Sequence, residues 1–317
     1  MTRIFETVVL IALPASGKSE VRRYIEHLPP EKRASDLRMG PSVQLDDYPY
    51  VHLMRRIDDE LVSLGKSRIF FLAADRPFQD PNNWGTLMEL LNEDHADLLS
   101  KRKVAPASAG RHYLQRVNAA AIKVGARALS SLDDRTIAGV AARLDQECRN
   151  MLEEKHRNYP DTLQGKTLVI EFARGGPAGS EMPLPAPLGY GYSLSRLSED
   201  ILKRSVILYI WVTPEESRRK NEARTDPNDP GSILHHGVPH EVMMKDYGCD
   251  DIAWLLETAE RPGTVTVRAN QKTFHVPLAR FDNRVDKTSF LRGDPSSWNP
   301  VNVCAVHDGL KETLKQV

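Results

Sequence analysis

Residues Ala12-Leu-Pro-Ala-Ser-Gly-Lys-Ser19 leave a chain little freedom in how it folds around them. Before them runs Thr7-Val-Val-Leu-Ile11, apolar, β-branched and of strand length. After them comes Glu20-Val-Arg-Arg-Tyr-Ile-Glu-His27, which reads as a helix ended by Pro29-Pro30. The eight residues fit the pattern G/A-x-x-x-x-G-K-S/T, with Ala12 at its first position and Pro14 stiffening the loop. Strand, tight loop and helix in that order aim backbone N–H groups and the positive end of a helix dipole at an anion. The expectation is a phosphate cradle. Pro14, Ala15, Ser16 and Gly17 shape it, Lys18 bridges the outer phosphates, and the Ser19 hydroxyl faces Mg²⁺. With Gly near ~7% of residues, the pattern arises by chance roughly once in several dozen chains this long.

The rest of the composition narrows the field. Lys+Arg and Asp+Glu balance at 43 each over 317 residues, so no global field draws the chain to nucleic acid or to an anionic membrane. The cysteines, Cys148, Cys249 and Cys304, are far apart and form no Cys-x-x-Cys, which fits a reducing compartment. No apolar run approaches ~18 residues. Val8 to Ala15 is too closely bounded by Glu6 and Gly-Lys-Ser to read as a signal-peptide core. A cytoplasmic protein is expected.

Strands alternate with helices. Ser42-Val-Gln-Leu45 is a short strand candidate running into Asp46-Asp47-Tyr48, and Val51 to Leu64 keeps helical spacing. Arg68-Ile-Phe-Phe-Leu-Ala-Ala74 reads as a buried parallel strand ending at Asp75-Arg76-Pro77. From Pro106 to about His156 the chain turns helical, with one helix over Arg111 to Leu129 and a second capped by Asp133 or Ser131. Lys166 to Phe172 and Ser205 to Val212 resume the sheet, and Pro214 opens an arginine-rich helix. Thr225 to Gly248 reads as a mobile loop. Thr264 to Val267 and Thr273 to Val276 suggest a hairpin, Pro277 to Phe281 a last strand, and Val303 to Leu314 a closing helix. The expected class is α/β, a mostly parallel sheet with helices on both faces. Residues 1–105 and 166–317 form its core, 106–165 a helical insertion, and about 218–250 a lid.

Phosphoryl transfer needs a carboxylate for Mg²⁺, cations on the developing charge and a base for the acceptor. Asp46 and Asp47 follow the strand after the loop's helix, where a parallel sheet faces the phosphate crevice. One of them takes the acceptor proton or holds Mg²⁺, or else caps the next helix. Glu171 ends an apolar strand, so a metal or a cation is expected beside it, with an ion pair to Arg174 as the simpler reading. Arg218 and Arg224 precede the lid-like loop and are candidate phosphate clamps, or else one salt-bridged helix face. Tyr48, Tyr50, Asp75, Arg76, Phe78, Trp84 and Arg174 are candidates for the acceptor side. His235, His236, His240 and Cys249 fit no zinc spacing.

Together these stretches resemble the P-loop kinases of nucleosides, nucleotides and other small molecules. Leu45-Asp-Asp-Tyr48 is similar to the Asp-Asp-Phe-Tyr turn of uridine-kinase-like enzymes, and Val206 to Arg224 is similar to the strand, Pro-Glu turn and arginine helix that opens the lid of adenylate-kinase-like proteins. The resemblance implies ATP and Mg²⁺ as cofactors and a small-molecule acceptor, with Asp46 or Asp47 as base or metal ligand, Glu171 as metal carboxylate, and Arg218 and Arg224 on phosphates. It covers about half the chain, and 106–157 and Gly175 to Arg196 match no family pattern. Asn283-Arg-Val-Asp286 looks like a variant of the guanine-recognition motif of GTPases, which keeps a regulatory NTPase open, as well as a nucleotide-binding interaction module without kinase activity.

Overall fold

In the computed structural model, which describes residues 4–127, 129–224 and 237–317, the apolar run Thr7–Ile11 is strand β1 and leads through the Gly-Lys-Ser loop into α1 (Lys18–His27). Then follow α2 (Pro30–Leu37), β2 (Ser42–Asp46), α3 (Tyr48–Ser63), α4 (Asn83–Ser100), α5 (Ala109–Val124) and α6 (Asp134–Arg157). The sheet resumes with β3 (Thr167–Phe172), then α7 (Gly189–Ser195), α8 (Glu199–Arg204), β4 (Ser205–Trp211), α9 (Pro214–Arg224), α10 (His240–Lys245) and α11 (Ile252–Glu257). The hairpin β5 (Thr264–Ala269) and β6 (Lys272–Asp282) precedes a closing helix α12 (Pro300–Leu314).

The sheet has six strands in the order β2-β3-β1-β4-β6-β5, all parallel except for β5 against β6. From central β1 the chain moves out to β2, returns to β3 beside β1, and then crosses to β4 on the other side. The order therefore reverses at β1, and a crevice opens at the carboxyl ends of β1 and its neighbours. Period-two alternation sorts the strand side chains between two layers. Val9, Ile11, Ile170 and Ile207 pack with Leu91 of α4, Leu194 of α7 and Ile252 of α11. Val8, Leu10, Val169 and Leu208 pack with Val21 of α1 and Val306 of α12. The β5–β6 turn places Asn270 and Gln271 at φ 50° and 61°, the tight-hairpin geometry that matches strand twist. Among the described residues no helix is long and apolar enough to cross a membrane.

Between β2 and β3, helices α3 to α6 build a core of their own around Leu53, Leu87, Val117 and Leu144. Asp133 caps α6 by accepting from the Thr136 N–H at 2.8 Å. One sequence expectation fails here. Arg68 to Ala74 is no strand of the sheet: it is a looped segment with a single bridge between Phe71 and Phe78. A side chain takes the place of a neighbouring strand. The fully buried Asp58 carboxylate accepts from the N–H groups of Ile69 (2.8 Å), Phe70 (3.1 Å) and Phe71 (2.8 Å). Burial pushes the Asp58 carboxyl up, and these hydrogen bonds work against that shift.

Removing this acceptor orphans buried N–H groups that each cost about 1–3 kcal/mol. Asp58→Ala should therefore lower unfolding stability by about 3 kcal/mol or more, read as a shifted urea midpoint at constant m-value. A loss below about 1 kcal/mol would mean that water replaces the carboxylate.

Candidate functional site

The loop after β1 is held in shape by its own chain. Ala15 and Gly17 take positive φ, 57° and 102°. A Cβ on Gly17 would stand 2.4 Å from Thr288 Oγ1 and 2.9 Å from Asn283 Nδ2, so glycine is required by both space and conformation. Ser16 Oγ donates to the Leu13 carbonyl (2.6 Å), and Lys18 Nζ to the Ala12 carbonyl (3.2 Å). No side chain caps α1. Two braces come from outside: Asn283 Nδ2 donates to the Ser16 carbonyl (2.8 Å), and Ser217 Oγ of α9 to the Pro14 carbonyl (2.7 Å).

Carboxylates gather beside the loop because β2 and β3 end in register. Asp46 pairs with Glu171, so both side chains leave the same face of the sheet, the face that α1 covers. Arg22, one helical turn beyond Lys18, donates to Glu171 Oε2 at 3.0 Å. Asp46 Oδ1 accepts from the Tyr48 N–H (2.8 Å) at the start of α3. Burial, followed by the charges of Glu171 and Asp47, pushes the Asp46 carboxyl up to about 8. Asp47 is buried, and its Oδ2 lies 2.6 Å from Arg174 Nη1.

Loop and carboxylates open into one cavity of 220 Å³. Pro14 to Glu20, Arg22, Asp46, Asp47, Tyr48 and Glu171 line part of it. A contiguous aromatic wall lines the rest: Phe71 stacks on Phe78 (centroids 4.4 Å), Phe78 meets the edge of Trp84 (4.9 Å), and Trp84 meets Tyr247 (5.9 Å). The chain beyond α9 closes the wall with Val238, Pro239 and Val242. Asn221 of α9 makes two 2.8 Å hydrogen bonds to the backbone of Val238. Arg55 and Asp246 supply charge among the rings. Burial pushes the Asp246 carboxyl up to about 7, against the pull of Arg55 and Lys245.

The sequence matches no protein-family model and no curated protein. The geometry therefore carries the reading alone.

Of the residues expected from sequence, Pro14 to Ser19, Asp46, Asp47, Tyr48, Phe78, Trp84 and Glu171 meet in this cavity. Others do not reach it. Arg174 is 1% exposed and pairs with Asp47, not Glu171; its Nε donates to Ser193 Oγ (3.0 Å), and its guanidinium covers Trp84. It positions Asp47. Asp75 and Arg76 sit on the outer loop, where Arg76 pairs with Glu241, because the strand that would have aimed them inward is absent. Arg218 pairs with Glu215 of its own helix at 3.1 Å, and Tyr50 is buried against Asp94. The Arg224 side chain, His235 and His236 lie outside the described residues, and so does half of the expected loop Thr225 to Gly248; its later part forms α10. Among the described residues no three His, Cys, Asp or Glu side chains form a metal cage. Asp286, although burial opposes it, is held well below the usual carboxylate range by Lys220 at 2.8 Å and by Ser289 and Thr288. Arg22, Arg55, Asp246 and Tyr247 were not expected; only Arg22, four residues after Lys18 on a helix, carries a sequence signal.

The raised Asp46 carboxyl makes a pH prediction. The folded chain keeps a proton that the unfolded chain releases near 3.8, so this contribution to stability is full below that value and is lost as pH rises through about 8. In metal-free protein, Asp46→Asn should flatten the fall of urea-derived stability between about pH 5 and 8, by up to about 1.4 kcal/mol per pH unit. An unchanged slope would show that Asp46 is already ionised.

Proposed function

We propose that the chain is an ATP- and Mg²⁺-dependent phosphotransferase acting on a small acceptor, built as a P-loop kinase. One observation carries this reading: a Gly-Lys-Ser loop, two register-paired carboxylates and an aromatic chamber share a single cavity. Phosphate transfer needs positioning and charge compensation more than covalent chemistry, and these groups supply both.

The residues fit the cofactor. The loop is pre-shaped by positive φ at Ala15 and Gly17, and α1 has no capping side chain to compete with phosphate oxygens. Mg²⁺ is commonly held by one or two carboxylates together with phosphates and water. Ser19, Asp46 and Glu171 would hold it, and crowded negative charge at Asp46 is what a divalent cation relieves. When bound, MgATP supplies the phosphoryl group and neutralises the charge on it. Lys18 and Arg22 bind and orient the phosphates. Asp46 or Asp47 takes the acceptor's hydroxyl proton, and the nearby divalent charge draws the Asp46 carboxyl to the ionised form that a base needs. Arg174 fixes Asp47 beside it. On this reading 106–165 is an insertion that shapes the acceptor end, and Val238, Pro239 and Val242, from the described part of the expected lid, help to keep water from the cavity.

The regulatory GTPase reading receives less support, because Asn283 is spent on Ser16 and Thr288 and Asp286 on Lys220. Thermal unfolding tests both. At a hundred times its dissociation constant, MgATP adds about 2.7 kcal/mol and should raise the midpoint by several degrees, a rise that Lys18→Ala abolishes while the unliganded midpoint stays put. A rise with MgGTP alone would favour the regulatory reading; no rise with either, or an equal rise in Lys18→Ala, would remove the kinase proposal.

A further inference from the structure

Six aspartates are buried among the described residues: Asp47, Asp58, Asp94, Asp97, Asp246 and Asp251. Five have partners. Asp47 pairs with Arg174, Asp58 takes backbone N–H groups, Asp94 pairs with Arg116, Asp97 with Arg102, and Asp251 accepts from the Tyr190 N–H. Asp246 has none. Its backbone N–H is used, donating to Val242 at 2.8 Å, but its carboxylate meets no hydrogen bond or ion pair among the described residues. It is 9% exposed, and the surface it faces is the cavity. A buried carboxylate without a donor is costly, and the cost is removed where a ligand brings the donor.

The surroundings define that ligand. Phe78, Trp84 and Tyr247 line the same space as a run of edge-to-face rings, an apolar wall that suits a flat body. A cation already occupies the chamber. The Arg55 guanidinium lies 3.8 Å over the Phe71 ring and is fixed there by hydrogen bonds to the carbonyls of Ala74 (2.6 Å) and Arg76 (3.4 Å). A second cation would stand against it, so an uncharged ring is favoured over an organic amine. The two oxygens of a carboxylate match two neighbouring in-plane donors, such as a ring N–H beside an exocyclic amine.

We propose that Asp246 is the recognition group of the chamber and that the acceptor is a flat, uncharged heteroaromatic ring bearing N–H donors. The word acceptor rests on the phosphotransferase reading; the binding does not. Asp246 is thus a specificity residue outside the phosphate machinery. Replacing it by a neutral side chain removes an unpartnered buried charge, so the fold is expected to be kept or strengthened.

Calorimetric titration and ligand-observed NMR on the full chain test this with four probes: isocytosine and guanosine (neutral rings with a ring N–H beside an exocyclic amine), 1,3-dimethyluracil (a flat ring without one) and tryptamine (an aryl ammonium ion). The amino rings should bind at least tenfold tighter than 1,3-dimethyluracil. Asp246→Asn and Asp246→Ala, checked for an unchanged or raised unfolding midpoint, should each lose that tenfold preference and still show the nucleotide response of the unaltered chain. Equal binding in both variants, tighter binding of 1,3-dimethyluracil or tryptamine, or no binding of any ring at millimolar concentration would overturn the proposal. Ring binding without an ATP response would leave Asp246 in place and remove the kinase reading. An ATP response without ring binding would do the reverse.

Discussion

The interaction on which the rest of this structure depends is the repulsion among Asp46, Asp47 and Glu171. Register pairing of β2 with β3 forces two of these carboxylates side by side at the carboxyl edge of the sheet, and chain connectivity adds the third. Charges so close and so far from bulk water cannot all persist without compensation. The fold supplies one arginine from each side. Arg22 reaches Glu171 from α1, and Arg174, one residue beyond Ala173 at the end of β3, reaches Asp47. Asp46 receives only a backbone N–H and keeps its proton up to about 8. The uneven division leaves Asp46 as the carboxyl of the three that no arginine among the described residues pairs with.

Rigidity around that edge comes from polar contacts between distant segments. Asn283 and Ser217 each hold a carbonyl of the loop, so β6 and α9 fix the loop's path from two directions. Asn221 then ties α9 to Val238 and sets where the chain returns to the aromatic wall. Each contact uses a side-chain amide or hydroxyl on a backbone carbonyl or N–H. Such bonds are worth about 1 kcal/mol each, which fixes geometry more than it adds stability. Ser217 and Asn221, one turn apart on α9, thus tie the loop end of the cavity to its apolar end through one helix.

Much of the sheet was legible in the sequence because its strands are continuous β-branched runs, and the loop was legible because glycine, lysine and serine are each required by their own physics. Two kinds of feature were not. Helix α4 buries Met88 and Leu91 in the sheet core and Leu87 and Leu90 in the helical core, so no single apolar stripe marks it. Arg68 to Ala74 has the composition of a buried strand, yet its N–H groups go to Asp58, ten or more residues back in the chain. Composition reports burial; it does not report what satisfies the backbone. The site divides along the same line. The position of Asp46, Asp47 and Glu171 on the cavity is legible because strand ends face the crevice, whereas that of Arg174 is not, since only packing reveals that Ser193, Asp47 and Trp84 enclose it.

Asp246 and Tyr247 show why the aromatic end of the cavity is the hardest part to read. They follow a six-residue helix in a stretch of mixed composition, and no spacing rule connects them to Trp84 or Phe71, which arrive from between β2 and β3. The loop end of the cavity is local, built by consecutive residues whose backbone shapes it. The aromatic end is non-local, assembled from two long connections whose side chains do it. Backbone geometry constrains the first through positive φ and fixed turns, but the second is constrained only by how distant side chains pack. A chain can therefore keep its loop legible while its choice of partner is written in contacts that only the folded structure brings together.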